Sequence, residues 1–565
     1  MRAIAVISVI IFHLGLVHSG YLGVDVFFVI SGYLITKIIY RETLIDSFSI
    51  INFYLRRIRR IIPLVLFAII ICLVVGVFVM LPDDLENLSQ SIVATNFIAN
   101  NVLLLITTGN YWDTVNDFKP LMHTWSLGVE EQFYFILPIL FLLFKRKRIT
   151  WVLPTLSILA LLSLILYLFP VANSASKFYL IQFRFFEIAY GGVLAILLKD
   201  KLLKIPFRIV FSICLIILLY YPLAISDSIR LILVVLVTGI LLISESTRFE
   251  KILLENAAIR FIGLISFSLY IWHQIVLAFC RYFIFPDVKI WSSIWVVLIA
   301  TLVLSVFTYY IVETPFRDKK KIQTKTMLLI VSIATILTSS VALYLYFEKG
   351  IIRDVPELNL AKNQKLSGNV HIAYNERIYG LEKDFGNDKK KKILIIGNSF
   401  ARDWANVLIE SKYKDSIEIS YARDINSSKN IEEKLRMADR IYFSELDYET
   451  YLGIIKAFGL DTGKVWNVGT KNFGSNNGIF YNRKKGAQYC FQRTKMDDGF
   501  TKKNIELKNN WGERYIDLIQ VLIDSEGKVP VFTPDCKFIS QDCRHLTQPG
   551  AIYIASLIGG IYHQL

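Results

Sequence analysis

The sequence predicts a chain in two parts, a polytopic α-helical membrane domain followed by an α/β domain outside the cytoplasm. Three observations carry this. Apolar blocks of spanning length follow one another up to about residue 347. The loops between them alternate between strongly basic and poorly basic. Beyond residue 347 the composition becomes that of a soluble domain, with short strand-like runs separated by helical stretches. The bulk numbers agree: 565 residues, 54% hydrophobic, leave room for two or three domains. A mean hydropathy of +0.48 is well above that of a soluble enzyme. The formal charge of +15 is not read as a nucleic-acid footprint, because its basic runs sit where membrane proteins keep them, in the loops that set orientation. No nucleic acid is expected as a partner.

A spanning helix needs about 20 mostly apolar residues. Eleven stretches qualify: 3–18, 22–40, 61–81, 126–144, 150–169, 183–199, 207–222, 228–244, 262–284, 292–312 and 326–347. Ten form the core, and the eleventh links it to the polar domain. The stretch 88–106 is excluded as a span because Ser89, Gln90, Ser91, Asn96, Asn100 and Asn101 suit an interfacial or re-entrant helix. With Met1 in the cytoplasm, the even-numbered connections should be basic, and they are: Arg41 with Arg56, Arg57, Arg59 and Arg60; Lys145 to Arg148; Lys199, Lys201 and Lys204; Arg248, Lys251 and Arg260; Arg317 with Lys319, Lys320 and Lys321. An odd count of spans then places residues 348–565 outside the cytoplasm. The first span is read as a retained helix, since no small-residue cleavage site follows it.

Ionisable groups at membrane depth are costly and so mark function. His13 lies in the first span, with Arg2 near its start; at 1.5 Å per residue, eleven positions put them about 16 Å apart. Asp25, Glu130, Glu131, His273 and Glu313 are further candidates, while Arg184 and Glu187 can pair with each other. The run RRIRR at 56–60 holds four arginines and no lysine. Arginine is the residue of bidentate phosphate binding, so a phosphate-bearing donor on the cytoplasmic side fits.

Taken in order, Arg2 and His13 with ten residues between, GVDVFFVISGYLIT (23–36), RRIRR, HTWSLGVEEQFYFILP (123–138), GLISFSLYIWH (263–273) and VETPFR (312–317) resemble the acyltransferase-3 family of membrane O-acyltransferases over about residues 1–320. The resemblance implies transfer of acyl groups, usually acetyl from acetyl-CoA, across the membrane to envelope carbohydrate. It assigns the family's first-helix arginine and histidine to Arg2 and His13, and its R-x-x-R pair to Arg56–Arg59 or Arg57–Arg60. The family usually carries Asp-Gly-Leu and a few more residues before the arginine; here the sequence opens at Met1.

Residues 348–390 are polar without strong periodicity and read as a linker or small extension. KKILIIGNSFARDW (391–404) then reads as a buried strand, a tight glycine turn and a helix start, a layout that exposes the hydroxyl of Ser399. Near the far end, Asp542 and His545 stand three apart before a Pro-Gly that opens an apolar helix. A carboxylate can orient an imidazole, which deprotonates a serine. The runs 417–422, 440–446, 464–470 and 528–535 supply further strands of an alternating α/β pattern. Ser399 followed by D-x-x-H resembles the SGNH hydrolase family over about 391–565, which implies a flavodoxin-like three-layer fold. That family usually reads Gly-Asp-Ser, and here Asn398 takes the middle place. Its third-block asparagine falls on Asn472, with Gly469 before it, as oxyanion candidates.

The domains expected are therefore 1–320 acyltransferase, 321–347 linking helix, 348–390 extension and 391–565 hydrolase-like. The function implied is transfer of an acyl group from cytoplasmic acyl-CoA to a hydroxyl of a bacterial envelope glycan or lipid-linked saccharide (O-antigen, capsule or peptidoglycan). The setting is the bacterial cytoplasmic membrane. No bound cofactor and no metal is expected; among the six cysteines, Cys490, Cys536 and Cys543 in the polar domain lack zinc-site spacing and allow one bridge. Two other classes compete. A membrane-anchored esterase would use the same serine, but an anchor needs one helix rather than eleven. An exporter leaves Ser399, Asp542 and His545 without a task.

Overall fold

The computed structural model describes every residue except 109–113, 145, 199–201, 206–207, 255, 284–290, 363–369, 388, 427, 485, 487 and 559–565. Lys145, Lys199 and Lys201 of the basic loops thus lie outside the described residues. The chain forms two compact units, Met1–Arg281 with Lys289–Phe347, and Tyr282–Val288 with Glu348–Leu565.

The first unit is helical. Its helices are α1 (Arg2–His13), α2 (Gly23–Leu44), α3 (Ile50–Val79), α4 (Pro82–Asn96), α5 (Asn100–Thr108), α6 (Thr124–Phe144), α7 (Val152–Leu168), α8 (Ser174–Tyr179) and α9 (Ile181–Leu198). They continue as α10 (Arg208–Tyr220), α11 (Asp227–Ile243), α12 (Arg248–Leu254), α13 (Ala257–Leu264), α14 (Ser266–Arg281), α15 (Trp291–Thr308), α16 (Thr314–Arg317) and α17 (Thr324–Phe347). Among the described residues seven helices are long and apolar enough to cross a membrane, or eight if α13 and α14, bent by 68°, make one span. The chain is a multi-pass membrane protein. All eleven expected stretches hold helix, but three of them hold the short helices α1, α10 and α11, of 12, 13 and 17 residues. The stretch 88–106 breaks into α4 and α5 at Ile98, whose φ is 60°.

Helix α3 corrects the expected loop. It begins at Ile50, capped by the Ser49 hydroxyl on the Asn52 amide, so RRIRR lies on a 30-residue helix and not in a connection. Thirty residues rise about 45 Å, more than the hydrocarbon thickness of about 30 Å, so the arginine-bearing turns can stand clear of the apolar layer. The second glycine of the GVDVFFVISGYLIT run, Gly32, has a packing reason. A Cβ at Gly32 would meet the Ile188 carbonyl oxygen at 1.8 Å, and one at Gly191 would meet that of Val29 at 2.1 Å. Two glycines thus let the backbones of α2 and α9 touch, the close approach by which helices associate in lipid.

The second unit is α/β. Five parallel strands, β1 (Lys391–Ile396), β2 (Ile417–Ala422), β3 (Arg440–Ser444), β4 (Val465–Val468) and β6 (Tyr515–Ile516), lie in the order β2-β1-β3-β4-β6. Alternation along β1 serves both faces. Ile393 and Ile395 pack with Trp404, Leu408 and Ile554 on one side; Leu394 and Ile396 pack with Leu435, Leu507 and Trp511 on the other. Residues 528–535, expected as a strand of this pattern, contribute only β7 (Lys528–Pro530), which pairs antiparallel with β5 (Arg493–Lys495) in a separate two-stranded sheet. The fifth parallel strand is instead the two-residue β6, too short for any periodicity to reveal. The extension 348–390 is not a free linker where it is described: Ile378 is fully buried in the core, and Arg377 bonds Asn406 and Glu410. Cys490 and Cys536 form a disulfide, and Cys543 is buried outside that bridge.

Candidate active site

Two constellations are built, one in each unit. In the membrane unit, Arg2 and His13 occupy the two ends of α1. The four arginines of α3 divide by partner. Arg56 pairs with Glu42 at 2.9 Å. Arg59 is tied into the fold by the Phe316 and Ile322 carbonyls at 2.8 and 2.9 Å and by the Thr324 hydroxyl at 3.0 Å. Arg57 and Arg60 instead line an open cavity of about 820 Å³ with Arg2, Ser31, Glu130 and Tyr134. The sequence leaves Arg56–Arg59 and Arg57–Arg60 equally open; the cavity holds the second pair. Glu130 accepts hydrogen bonds from Ser31 at 3.0 Å and Tyr134 at 3.2 Å.

A smaller cavity is lined by His13, Asp25, His123 and Arg184, and Val24 and Tyr270 line both cavities. Arg184 is not merely the partner of Glu187 (3.0 Å); it also binds Asp25 at 2.9 Å, joining α9 to α2. His13, His123 and His273 gather here, with ring centroids 4.3 Å apart for His13–His123 and 4.6 Å for His123–His273. The sequence singles out His273 as an ionisable residue in a span but gives His123 no weight. His123 opens the HTWSLGVEEQFYFILP run just before α6, and only the tertiary fold carries it to the other two.

In the second unit, β1 ends at Gly397, whose φ of +140° only glycine takes readily. Asn398 then caps the helix Ser399–Ile409 (α19 in chain order, after Val370–Glu376 as α18): its side-chain oxygen accepts from the Phe400 amide at 2.9 Å and from the Ser444 hydroxyl at 3.2 Å. This accounts for the departure from Gly-Asp-Ser. The position needs a short side chain with an acceptor oxygen, and asparagine caps as well as aspartate. Ser399 therefore stands at a helix N-terminus, outside the carboxyl end of β1, where the strand order turns from β2 on one side to β3 on the other. Ligands bind at such reversal points in parallel sheets.

The Ser399 hydroxyl is 2.8 Å from His545 Nε2, and His545 Nδ1 is 2.7 Å from Asp542 Oδ2. Asp542 Oδ1 accepts the amides of Arg544 and His545 at 3.0 and 2.8 Å. Burial pushes this carboxyl up, but the His545 ring and the two amides outweigh it and hold Asp542 at about 2. It is thus ionised wherever an imidazole can act as base. The side chains of His545 and Asp542 remain 23% and 38% exposed, enough for a bulky acceptor to approach.

Behind the triad lies a pair that the sequence does not announce. Lys471 and Asp403, each 1% exposed, meet at 2.8 Å, and Asp403 also accepts the Leu546 amide at 3.1 Å. The nucleophile's helix and the base's loop are thereby fastened together. The oxyanion candidates fare differently from the triad. The Gly469 amide is spent on the Ile516 carbonyl at 2.9 Å, so it has no hydrogen to offer an oxyanion, a correction imposed by the β4–β6 pairing. Asn472 is engaged in its own turn, bonding the Gly474 carbonyl and amide at 3.1 Å each.

His371 on α18 gives a pH test of this region. Burial drops its imidazole to about 4 from 6.5, and the negative Asp542 opposes that only in part. Between these values the unfolded chain binds a proton that the folded chain refuses. Stability present above pH 6.5 is therefore lost as pH falls towards 4, by about 3 kcal/mol from this residue. Hydrogen exchange of β1 and β3 in the full chain should speed up across that interval, and His371→Gln should flatten the response.

The fold is that of a polytopic helical unit, with an arginine-lined cavity and gathered histidines, joined to an α/β unit that carries a serine–histidine–aspartate relay. Residues 1–310, more than half of the chain, match the acyltransferase-3 family (acyltransferase domain), and the chain belongs to that family. It is 32% identical over 350 residues to a provisionally named O-acetyltransferase of Staphylococcus aureus strain COL, covering 56% of each chain. It is 31% identical to the O-acetyltransferase OatA of Staphylococcus aureus strain NCTC 8325, again over 56% of each. It is 28% identical to the peptidoglycan O-acetyltransferase OatA of Listeria monocytogenes, over 56% of this chain and 55% of that one. The chain thus spans about half the length of the curated relatives it matches. No solved structure matches it.

Proposed function

We propose that the chain moves an acyl group, acetyl in the first instance, from cytoplasmic acyl-CoA to a hydroxyl of a cell-envelope glycan. The observation that carries this reading is the complete serine–histidine–aspartate relay, at 2.8 and 2.7 Å, on the same chain as an acyltransferase-3 unit. Arg2, Arg57 and Arg60 hold the phosphates of the donor, and His13 handles the acyl group deeper in the membrane. Ser399 attacks the carbonyl carbon of the delivered acyl carrier and gives its proton to His545, which passes it to the departing carrier as the acyl–carrier bond breaks. A glycan hydroxyl then attacks the acyl-serine ester, His545 takes that proton and returns it to the Ser399 oxygen, and the glycan ester is released. The second unit is an SGNH-type domain; its strand order and the position of Ser399 at the sheet's reversal point support this. It faces away from the cytoplasm of a bacterium, as the alternation of basic and poorly basic connections and helix ends suggests. The name of the Listeria monocytogenes relative, a peptidoglycan O-acetyltransferase, favours peptidoglycan as acceptor. Labelled acetyl-CoA supplied to the cytoplasmic face of vesicles should transfer label to envelope glycan. Label that appears only as free acetate would favour the membrane-anchored esterase.

The arginines give a sharper prediction. Arg57→Ala or Arg60→Ala should raise the KM for acetyl-CoA about tenfold or more, the scale of a lost charge-assisted bond. Arg56→Ala should move it by about twofold or less, since a half-exposed ion pair carries little. Arg59→Ala should lower the yield of folded protein instead, because that guanidinium ties α3 to residues 316–324.

A further inference from the structure

Three imidazoles are an expensive set to gather inside a membrane unit, where polar groups are retained for a purpose. One ring nitrogen from each of His13, His123 and His273 lies within 4.8 Å of the other two. His123 and His273 are only 3% and 2% exposed. The Nδ1 of His273 lies 3.1 Å from the Leu269 carbonyl, one helical turn back on α14. That carbonyl accepts the Nδ1 hydrogen, which leaves the lone pair on Nε2. Among the described residues Nε2 has no hydrogen-bond partner. A ring whose far nitrogen is fixed by a backbone carbonyl while the near one is left as a bare donor is the arrangement typical of metal-bound histidine.

We propose that His13, His123 and His273 form a binding site for a first-row dication of the zinc type. Neutral nitrogen donors without a carboxylate among them select zinc, cobalt or nickel over magnesium and calcium. Three protein ligands, with a fourth position left open, is the pattern of zinc sites that act as Lewis acids. Tetrahedral zinc–nitrogen bonds of about 2.0–2.1 Å would draw a pair of nitrogens at the 4.8 Å limit in by about 1.5 Å, within reach of ring rotation and small side-chain shifts. His13 and His123 line the smaller cavity, so the open position can face a bound acyl carbonyl. The sequence gives no sign of such a site, because the ligands come from three distant segments with no motif spacing.

The test is metal analysis of the full chain, extracted in mild detergent without chelator. Donor and acceptor are absent, so the outcome is independent of whether the chain transfers acyl groups. The parent should carry close to one zinc per chain. His273→Ala should lower that about tenfold or more, and His18→Ala, an exposed histidine of the same unit, should not. Metal retained in full by folded His273→Ala overturns the proposal. If that variant aggregates, chelator-stripped parent is titrated with cobalt(II) instead. Visible absorption bands of a low-coordinate nitrogen site are expected at one equivalent, and their absence overturns the proposal equally.

Discussion

Replacing Ser399 with alanine should abolish acyl transfer to glycan, by at least about a thousandfold, with the protein still folded and inserted. The change removes one hydroxyl from a half-buried position whose neighbours are held by other bonds: the turn by Gly397 and Asn398, the base by Asp542, the loop by Asp403. Nothing in that scaffold depends on the serine oxygen. Asp542→Asn should be severe but less absolute, because it disturbs the ring's tautomer without touching the acyl group. Mass spectrometry of envelope polymers from cells carrying each variant measures both. Full modification with Ser399→Ala would mean that the second unit is not the transferase.

The second large effect is expected at the other end of the path. His13→Ala should lower glycan acylation about a hundredfold or more, the range of a lost acid–base group or metal ligand. Cleavage of a small activated ester at Ser399 is read in parallel on the same preparation, since no part of the triad lies in the membrane unit. Loss of glycan labelling with ester cleavage intact separates the two halves of the reaction. Equal labelling by parent and variant would reduce the membrane unit to scaffolding and return the esterase reading to favour.

How much of this was legible in residues alone depended on whether the signal was local. The triad was, because Ser399 sits in a strand–turn–helix run and Asp542 and His545 are three apart on one loop. The strands β2, β3 and β4 were, since each is a compact apolar run with turn residues beside it. The fifth strand was not: two residues carry no period, and a longer β-like run nearby took its place. The cluster of His13, His123 and His273 and the pair Lys471–Asp403 were invisible for a related reason. Each joins residues that only helix packing or sheet order brings together, and a lone lysine or histidine in sequence looks like any other. The arginines of 56–60 lay between these cases. Their number was plain, but which two face the cavity is set by rotation about α3 and by the partners Glu42, Phe316 and Ile322.

The Cys490–Cys536 bridge joins positions 46 apart, and between them lie the helix Asp498–Trp511, β6 and β7. On a chain-entropy account, closing such a loop stabilises the unit by about 4 kcal/mol, a large share of an ordinary domain's margin. Thiol buffers keep such bonds open in the cytoplasm, and oxidising compartments let them form. In the orientation proposed above, with the second unit exported, the bond would close only after passage through the membrane. A copy inserted the wrong way round would keep its thiols, remain that much softer, and fall to proteases first. In that orientation the bridge acts as a proofreading device: durability is granted only to molecules whose Ser399 has left the cytoplasmic side.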